Sequence, residues 1–128
     1  MNKGVLIDTC MWIDFFKSNS KAGDVIEELI KSGSAWICGI VLYELAGGIR
    51  AEAEKHQVMD ALANLKFADP SRAGWFHSGE LAASLKKTGL NLPMSDIIIA
   101  ATAIDHDLSV FSIDKHFTRI PGLVLHKP

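Results

Sequence analysis

The chain has 128 residues, 48% hydrophobic and 22% charged, with no internal repeat, low-complexity tract or linker, which fits one domain over 1–128. Its formal charge of −2 lacks the basic excess that marks many nucleic-acid binders. No apolar run reaches the ~18–20 residues of a membrane span, and the opening residues lack a signal-peptide stretch. Cys10 and Cys38 stand apart without zinc spacing, which argues against a disulfide framework and suits a reducing cytoplasm.

Val5, Leu6 and Ile7 form an apolar run that ends in Asp8 and predicts a buried strand. Residues 10–16 follow as a short helix carrying Trp12, Phe15 and Phe16. Over 22–31, Val25, Ile26, Leu29 and Ile30 stand at helical spacing, and Gly33 ends the helix. Residues 35–38 predict a second strand, and 40–49 a helix weakened at its end by Gly47 and Gly48. A long helix over 51–65, a short strand at 67–68 and a helix over 71–87 ending at Gly89 come next. Ser95 is a candidate N-cap for a helix that runs to about Asp105. Residues 109–112 predict a strand, Asp114 opens a turn through Phe117, and 123–125 form a final strand.

Strands alternate with helices, and the strands are continuous apolar runs. The pattern predicts an α/β fold, a three-layer α/β/α sandwich around a mainly parallel sheet. Ligands of such sheets bind beyond the carboxyl ends of the strands. Asp8 follows the first strand, Asp114 follows the strand at 109–112, and Glu44 lies one turn into the helix after the second strand. Asp96 opens the helix before the strand at 109–112, so all four acids can reach one edge of the sheet.

Each acid also has an ordinary structural role. Asp8 could end a strand and cap a helix, Asp96 could complement a helix dipole, and Asp114 could serve a turn. Glu44 could be a solvated helix residue, although Ile40, Val41, Leu42 and Leu45 point to a largely buried helix in which an unpaired Glu is costly. Together they are harder to explain, because two carboxylates ~4 Å apart repel by about 4 kcal/mol at an effective dielectric near 20. A hard cation, Mg2+ or Mn2+, relieves that repulsion and suits phosphodiester hydrolysis. Setting the four acids aside moves the formal charge from −2 to +2, which weakens the objection from net charge.

Four stretches of the chain resemble the PIN-domain nucleases, and within them the VapC toxins of bacterial toxin–antitoxin pairs. They are Leu6-Ile7-Asp8-Thr9, Val41-Leu42-Tyr43-Glu44-Leu45, Asp96-Ile97-Ile98-Ile99-Ala100-Ala101 and Val110-Phe111-Ser112-Ile113-Asp114. They fall in the family's order across nearly the whole chain. The resemblance implies a Mg2+- or Mn2+-dependent ribonuclease, a homodimer, inhibition by a cognate antitoxin, and metal binding by Asp8, Glu44, Asp96 and Asp114. It also implies that Asp8 and Asp96 are direct ligands and that Glu44 and Asp114 act directly or through water. The chain departs from the family at Cys10, often Asn, and at Gly39 and Val41, often Ser and Thr. Those changes remove polar groups that orient carboxylates.

Other residues are weighed singly. Thr9 and Ser112 could hold a carboxylate or a local backbone bond. His116 is more often a helix-turn residue than a phosphate contact. Arg50, Lys86, Lys87, Lys115 and Arg119 are candidates for RNA phosphates. The apolar helix with Met11, Trp12, Phe15 and Phe16 exceeds what a short helix can bury, so part of it is expected to meet an antitoxin or second subunit. Trp75 and Phe76 fit either core or dimer surface. Two alternative functions remain: a receiver-like Mg2+-binding signalling domain, for which Asp69 is the available acceptor, and a non-catalytic PIN-fold protein-binding module.

Overall fold

The structure, a computed structural model, describes residues 4–17 and 21–127; the reading of the first three residues lies outside them. β1 (Val5–Ile7), β2 (Ala35–Cys38), β3 (Lys66–Ala68) and β4 (Ser109–Phe111) form one parallel sheet in the order β3-β2-β1-β4. Parallel neighbours need long crossovers, and helices supply each of them. α1 (Thr9–Lys17) and α2 (Lys21–Lys31) join β1 to β2, and α3 (Gly39–Gly47) and α4 (Glu52–Leu62) join β2 to β3. α5 (Arg72–Lys87) and α6 (Met94–Asp105) then carry the chain back across to β4, and a 3-10 turn (Lys115–Arg119) follows it. Among the described residues no helix is long and apolar enough to cross a membrane.

The strand order places a topological switch between β1 and β4. From β1 the chain steps outward through β2 to β3, then returns to the other flank of β1. Crossovers leave in opposite directions there, which opens a crevice beyond the carboxyl ends. β1 is the central element: Leu6 stands opposite both Trp36 and Val110. Leu6, Ile7 and Val110 are fully buried, as continuous apolar strands covered on both faces should be.

Helix ends follow local chemistry. Gly33 and Gly89 take φ of +71° and +85°, and the following residues, Ser34 and Leu90, donate to the carbonyls of Leu29 and Leu85 at 2.9 Å each. α6 is buried along Ile97–Ala103 and packs on α3, α5, β4 and the 3-10 turn. Its first turn is thereby held against the end of β4.

Several boundaries differ from expectation. α1 starts at Thr9, because the Asp8 carbonyl accepts from Met11 and Trp12 at 3.1 and 3.3 Å and begins the helix earlier. α4 stops at Leu62, since the chain must be extended again at Lys66 for β3 to pair with β2. Pro93, not Ser95, precedes α6; with φ fixed at −57° and its carbonyl accepting from Ile97 at 3.2 Å, it starts the helix early and puts Ser95 in the first turn. The expected strand at 123–125 is reduced to one bridge between Val110 and Leu125, because beyond Phe111 the chain turns away toward Asp114.

The aromatic residues also find places. Trp12 is fully buried, in T-shaped contact with Phe15 at 5.6 Å and stacked near Phe16 at 6.1 Å. Ile13, not Trp12, is the exposed apolar residue of α1. Trp75 and Phe76 are 54% and 70% exposed, so they belong to the surface rather than the core.

Candidate metal centre

A continuous chain of polar contacts links the four acids, running from Glu44 on α3 to Asp8, Asp114 and Asp96 at the β1/β4 switch. Asp8 is buried, and both carboxylate oxygens are held. The Thr9 backbone N–H donates to Oδ1 at 2.8 Å, and Ser112 Oγ donates to Oδ2 at 2.7 Å. Thr9 Oγ1 in turn donates to Glu44 Oε1 at 2.7 Å. Ser112 Oγ accepts from the Asp114 backbone N–H at 2.9 Å. Asp114 Oδ1 accepts from the His116 backbone N–H at 2.9 Å, and the His116 ring Nδ1 lies 3.1 Å from the same oxygen. That Nδ1 is 2.8 Å from Asp96 Oδ2, which closes the chain Glu44–Thr9–Asp8–Ser112–Asp114–His116–Asp96.

Within this chain one group is tight. Asp96, Asp114 and His116 each offer a ligand atom, all within 4.8 Å of one another. Asp8 joins that group through Ser112, and Glu44 joins Asp8 through Thr9, one residue further out. Glu44 itself is exposed, and α3 buries Val41 and Leu45 while leaving Leu42 40% exposed. The expectation of a largely buried Glu44 helix is therefore corrected: the helix lies half in solvent, and Thr9 rather than a dry core restrains the carboxylate.

Burial pushes the Asp96 carboxyl up to about 6, repulsion from Asp114 and Asp8 adds to the rise, and the His116 bond opposes it. The His116 imidazole is raised from its ordinary value, chiefly by its bond to Asp96 and further by Asp114. Both shifts act in one direction on the metal-free protein. An acid raised from 3.8 stabilises the fold below that value and loses its contribution as pH climbs through about 6. A raised histidine likewise contributes below its unfolded value of 6.5 and loses that contribution as pH rises through its folded value. The His126 imidazole, lowered by burial, pulls the other way, so the contribution of Asp96 is read against Asp96→Asn. Calorimetry in chelator should show the unaltered chain losing more melting temperature than that variant from pH 5 to pH 8, with Asp96 alone removing on the order of 1 kcal/mol. The same pH dependence in both proteins would contradict this electrostatic account.

Cys10 stands where an amide is common in the resembled family, and its thiol supplies a weaker substitute. Cys10 Sγ donates to Asp8 Oδ2 at 3.3 Å and lies 3.6 Å from Ser112 Oγ. Burial raises the thiol from its usual range, so it donates as S–H. Gly39 opens α3, where an added Cβ would stand 3.1 Å from Asp69 Oδ1. Asp69 itself follows β3, the edge strand, whereas a receiver-like acceptor needs the end of a central strand.

His116 is the residue that sequence reasoning undervalued. Its only signal was its place two residues after Asp114, and in sequence that looks like ordinary turn chemistry. Arg50 and Lys17 line a groove of about 760 Å3 together with Glu44, Ile13, Phe16 and Leu45. Of the basic residues weighed in sequence, Arg50 thus lines the same groove as one of the four acids.

Residues 5–123 match the PIN domain family. Ribonuclease VapC2 of Rickettsia felis is 33% identical over 105 residues, 78% of each chain. Among solved structures, VapBC2 from Rickettsia felis bound to a promoter DNA fragment superposes with a TM-score of 0.81 at 26% identity, covering 95% of this chain and 96% of that one. DNA-bound VapBC from Salmonella typhimurium gives a TM-score of 0.84 at 25% identity over 97% of both chains.

Proposed function

This chain belongs to the PIN-domain family, and on that premise we propose that it is a divalent-metal-dependent endoribonuclease serving as the toxin of a toxin–antitoxin pair. Its partners are RNA as substrate, a cognate antitoxin and a second copy of itself. Mg2+ is the expected ion, with Mn2+ able to substitute. The observation that carries the reading is the convergence of Asp96 and Asp114, with Asp8 one hydrogen-bonded residue away, at the β1/β4 switch.

The donor set fits a hard divalent cation. Carboxylate oxygens dominate it, and Asp96 is raised chiefly by burial and further by repulsion from Asp114 and Asp8, a repulsion that a bound cation would relieve. Asp96, Asp114 and Asp8 would hold the cation, with Glu44 acting directly or through water. When bound, the cation supplies Lewis-acid polarisation of a phosphoryl oxygen and a lowered pKa for water. The protein's share is orientation. Thr9 and Ser112 fix both oxygens of Asp8, so little reorganisation remains when substrate arrives. Glu44 leads from the acids into a groove lined also by Arg50, Lys17 and Glu54, in which the two basic side chains are the candidates for flanking phosphates of RNA. Trp75, Phe76 and Met94, each more than half exposed, support a subunit interface at the α5/α6 face.

The purified chain should cut RNA in Mg2+ or Mn2+, lose that activity completely in chelator and regain it when the ion is returned. Cleavage that continues undiminished in chelator would remove the metal-dependent mechanism. Expression with and without the neighbouring antitoxin gene tests the toxin role: growth should arrest only when the antitoxin is missing.

A further inference from the structure

His116 stands in the site for a reason that ordinary packing does not supply. Its side chain is 46% exposed, so no burial of the ring accounts for its position. Its backbone N–H is tied to Asp114 Oδ1, and its ring turns Nδ1 toward both acids. The separations are 2.8 Å to Asp96 Oδ2 and 3.1 Å to Asp114 Oδ1. Adjacent ligands on a six-coordinate ion with bonds of about 2.1 Å stand about 3.0 Å apart. Nδ1 is thus spaced from each carboxylate oxygen as neighbouring ligands on one ion would be, and the three donor atoms all lie within 4.8 Å of one another.

We propose that His116 Nδ1 is a direct ligand of the divalent cation held by Asp96 and Asp114. The inference rests on the metal-dependent reading of the site and adds to it a determinant of metal choice. An all-oxygen site with several waters suits Mg2+, while imidazole nitrogen favours transition ions. His116 therefore shifts the preference of this site toward Mn2+ and later divalent metals relative to Mg2+. Ligation displaces the proton that Nδ1 shares with the carboxylates, as metal binding to imidazole requires.

Mn2+ is the probe, because its unpaired electrons report directly bound nitrogen. Electron spin-echo measurements on the full chain loaded with Mn2+ should show nitrogen-14 coupling, which changes to a nitrogen-15 pattern when histidine alone is isotopically labelled. The coupling should vanish in His116→Gln, and calorimetric Mn2+ affinity should fall about ten-fold or more. Mg2+ affinity should fall less. Mn2+ bound without nitrogen coupling in the unaltered chain overturns the ligand assignment and leaves the carboxylate site standing. Coupling that persists in His116→Gln overturns it as well. A chain that binds no Mn2+ removes both the assignment and the metal reading beneath it.

Discussion

Asp96→Asn should reduce RNA cleavage by at least about a hundred-fold, the scale of losing one electrostatic group at a reaction centre. The same variant should be no less stable than the unaltered protein at pH 8 in chelator. The two expectations come from one physical cause. Asp96 sits in the first turn of α6 with only 7% exposure, and burial together with Asp114 penalises its charge. Removing that charge relieves repulsion in the metal-free fold, while the neutral amide, with one oxygen in place of two, is a poorer donor to the proposed cation. The partner it leaves behind, His116, is half-exposed and can be solvated, so little desolvation penalty remains. Cleavage assays and thermal melts on one preparation separate the effects. Cleavage at the unaltered rate would remove Asp96 from the mechanism, and a large drop in melting temperature would show that its role is structural.

Trp12→Ala should cost about 3–5 kcal/mol, the range for emptying an aromatic site in a core. That is a large share of the 5–15 kcal/mol that typically separates folded from unfolded states. Trp12 is fully buried on α1, one turn after Asp8, with Phe15 and Phe16 against its ring. Its indole Nε1 is buried without a hydrogen-bond partner among the described residues. An unpaired buried donor costs about 1–3 kcal/mol, so the native residue carries a penalty that Phe lacks. Trp12→Phe should consequently lose less than about 2 kcal/mol, because removing the stray donor offsets part of the lost packing. Denaturant unfolding of the two variants tests this difference. A loss for Trp12→Phe that approaches the loss for Trp12→Ala would mean that Nε1 has an acceptor, whose bond both variants forfeit.

The fold was largely legible because its signals are local. Apolar runs of three and four residues marked β1 and β2, apolar pairs at 67–68 and 110–111 marked β3 and β4, and Gly33 and Gly89 marked two helix ends through a backbone geometry that glycine favours. The edges were less legible. Whether residues 123–125 pair depends on how far β4 continues beside them, and that is decided by the turn toward Asp114. Ser95 resembled a cap, but Pro93, two residues earlier, took the position.

The candidate site divides along the same line. By itself the sequence determined the α/β class and the presence of four acids near strand ends and helix starts, since period and position along the chain are one-dimensional properties. Only the tertiary structure decided which polar groups lie between those acids. Thr9 joins Glu44 to Asp8 across 35 residues, and Ser112 reaches Asp8 across 104. Glu44 proved exposed because the side of α3 that faces solvent depends on neighbouring helices and not on the helix's own composition. His116 reaches Asp96 only because β4 pairs with β1 while the buried face of α6 packs against β4 and the 3-10 turn. Sequence spacing cannot report such a meeting: the contact is a product of two packing interfaces, and neither is encoded within the residues that touch.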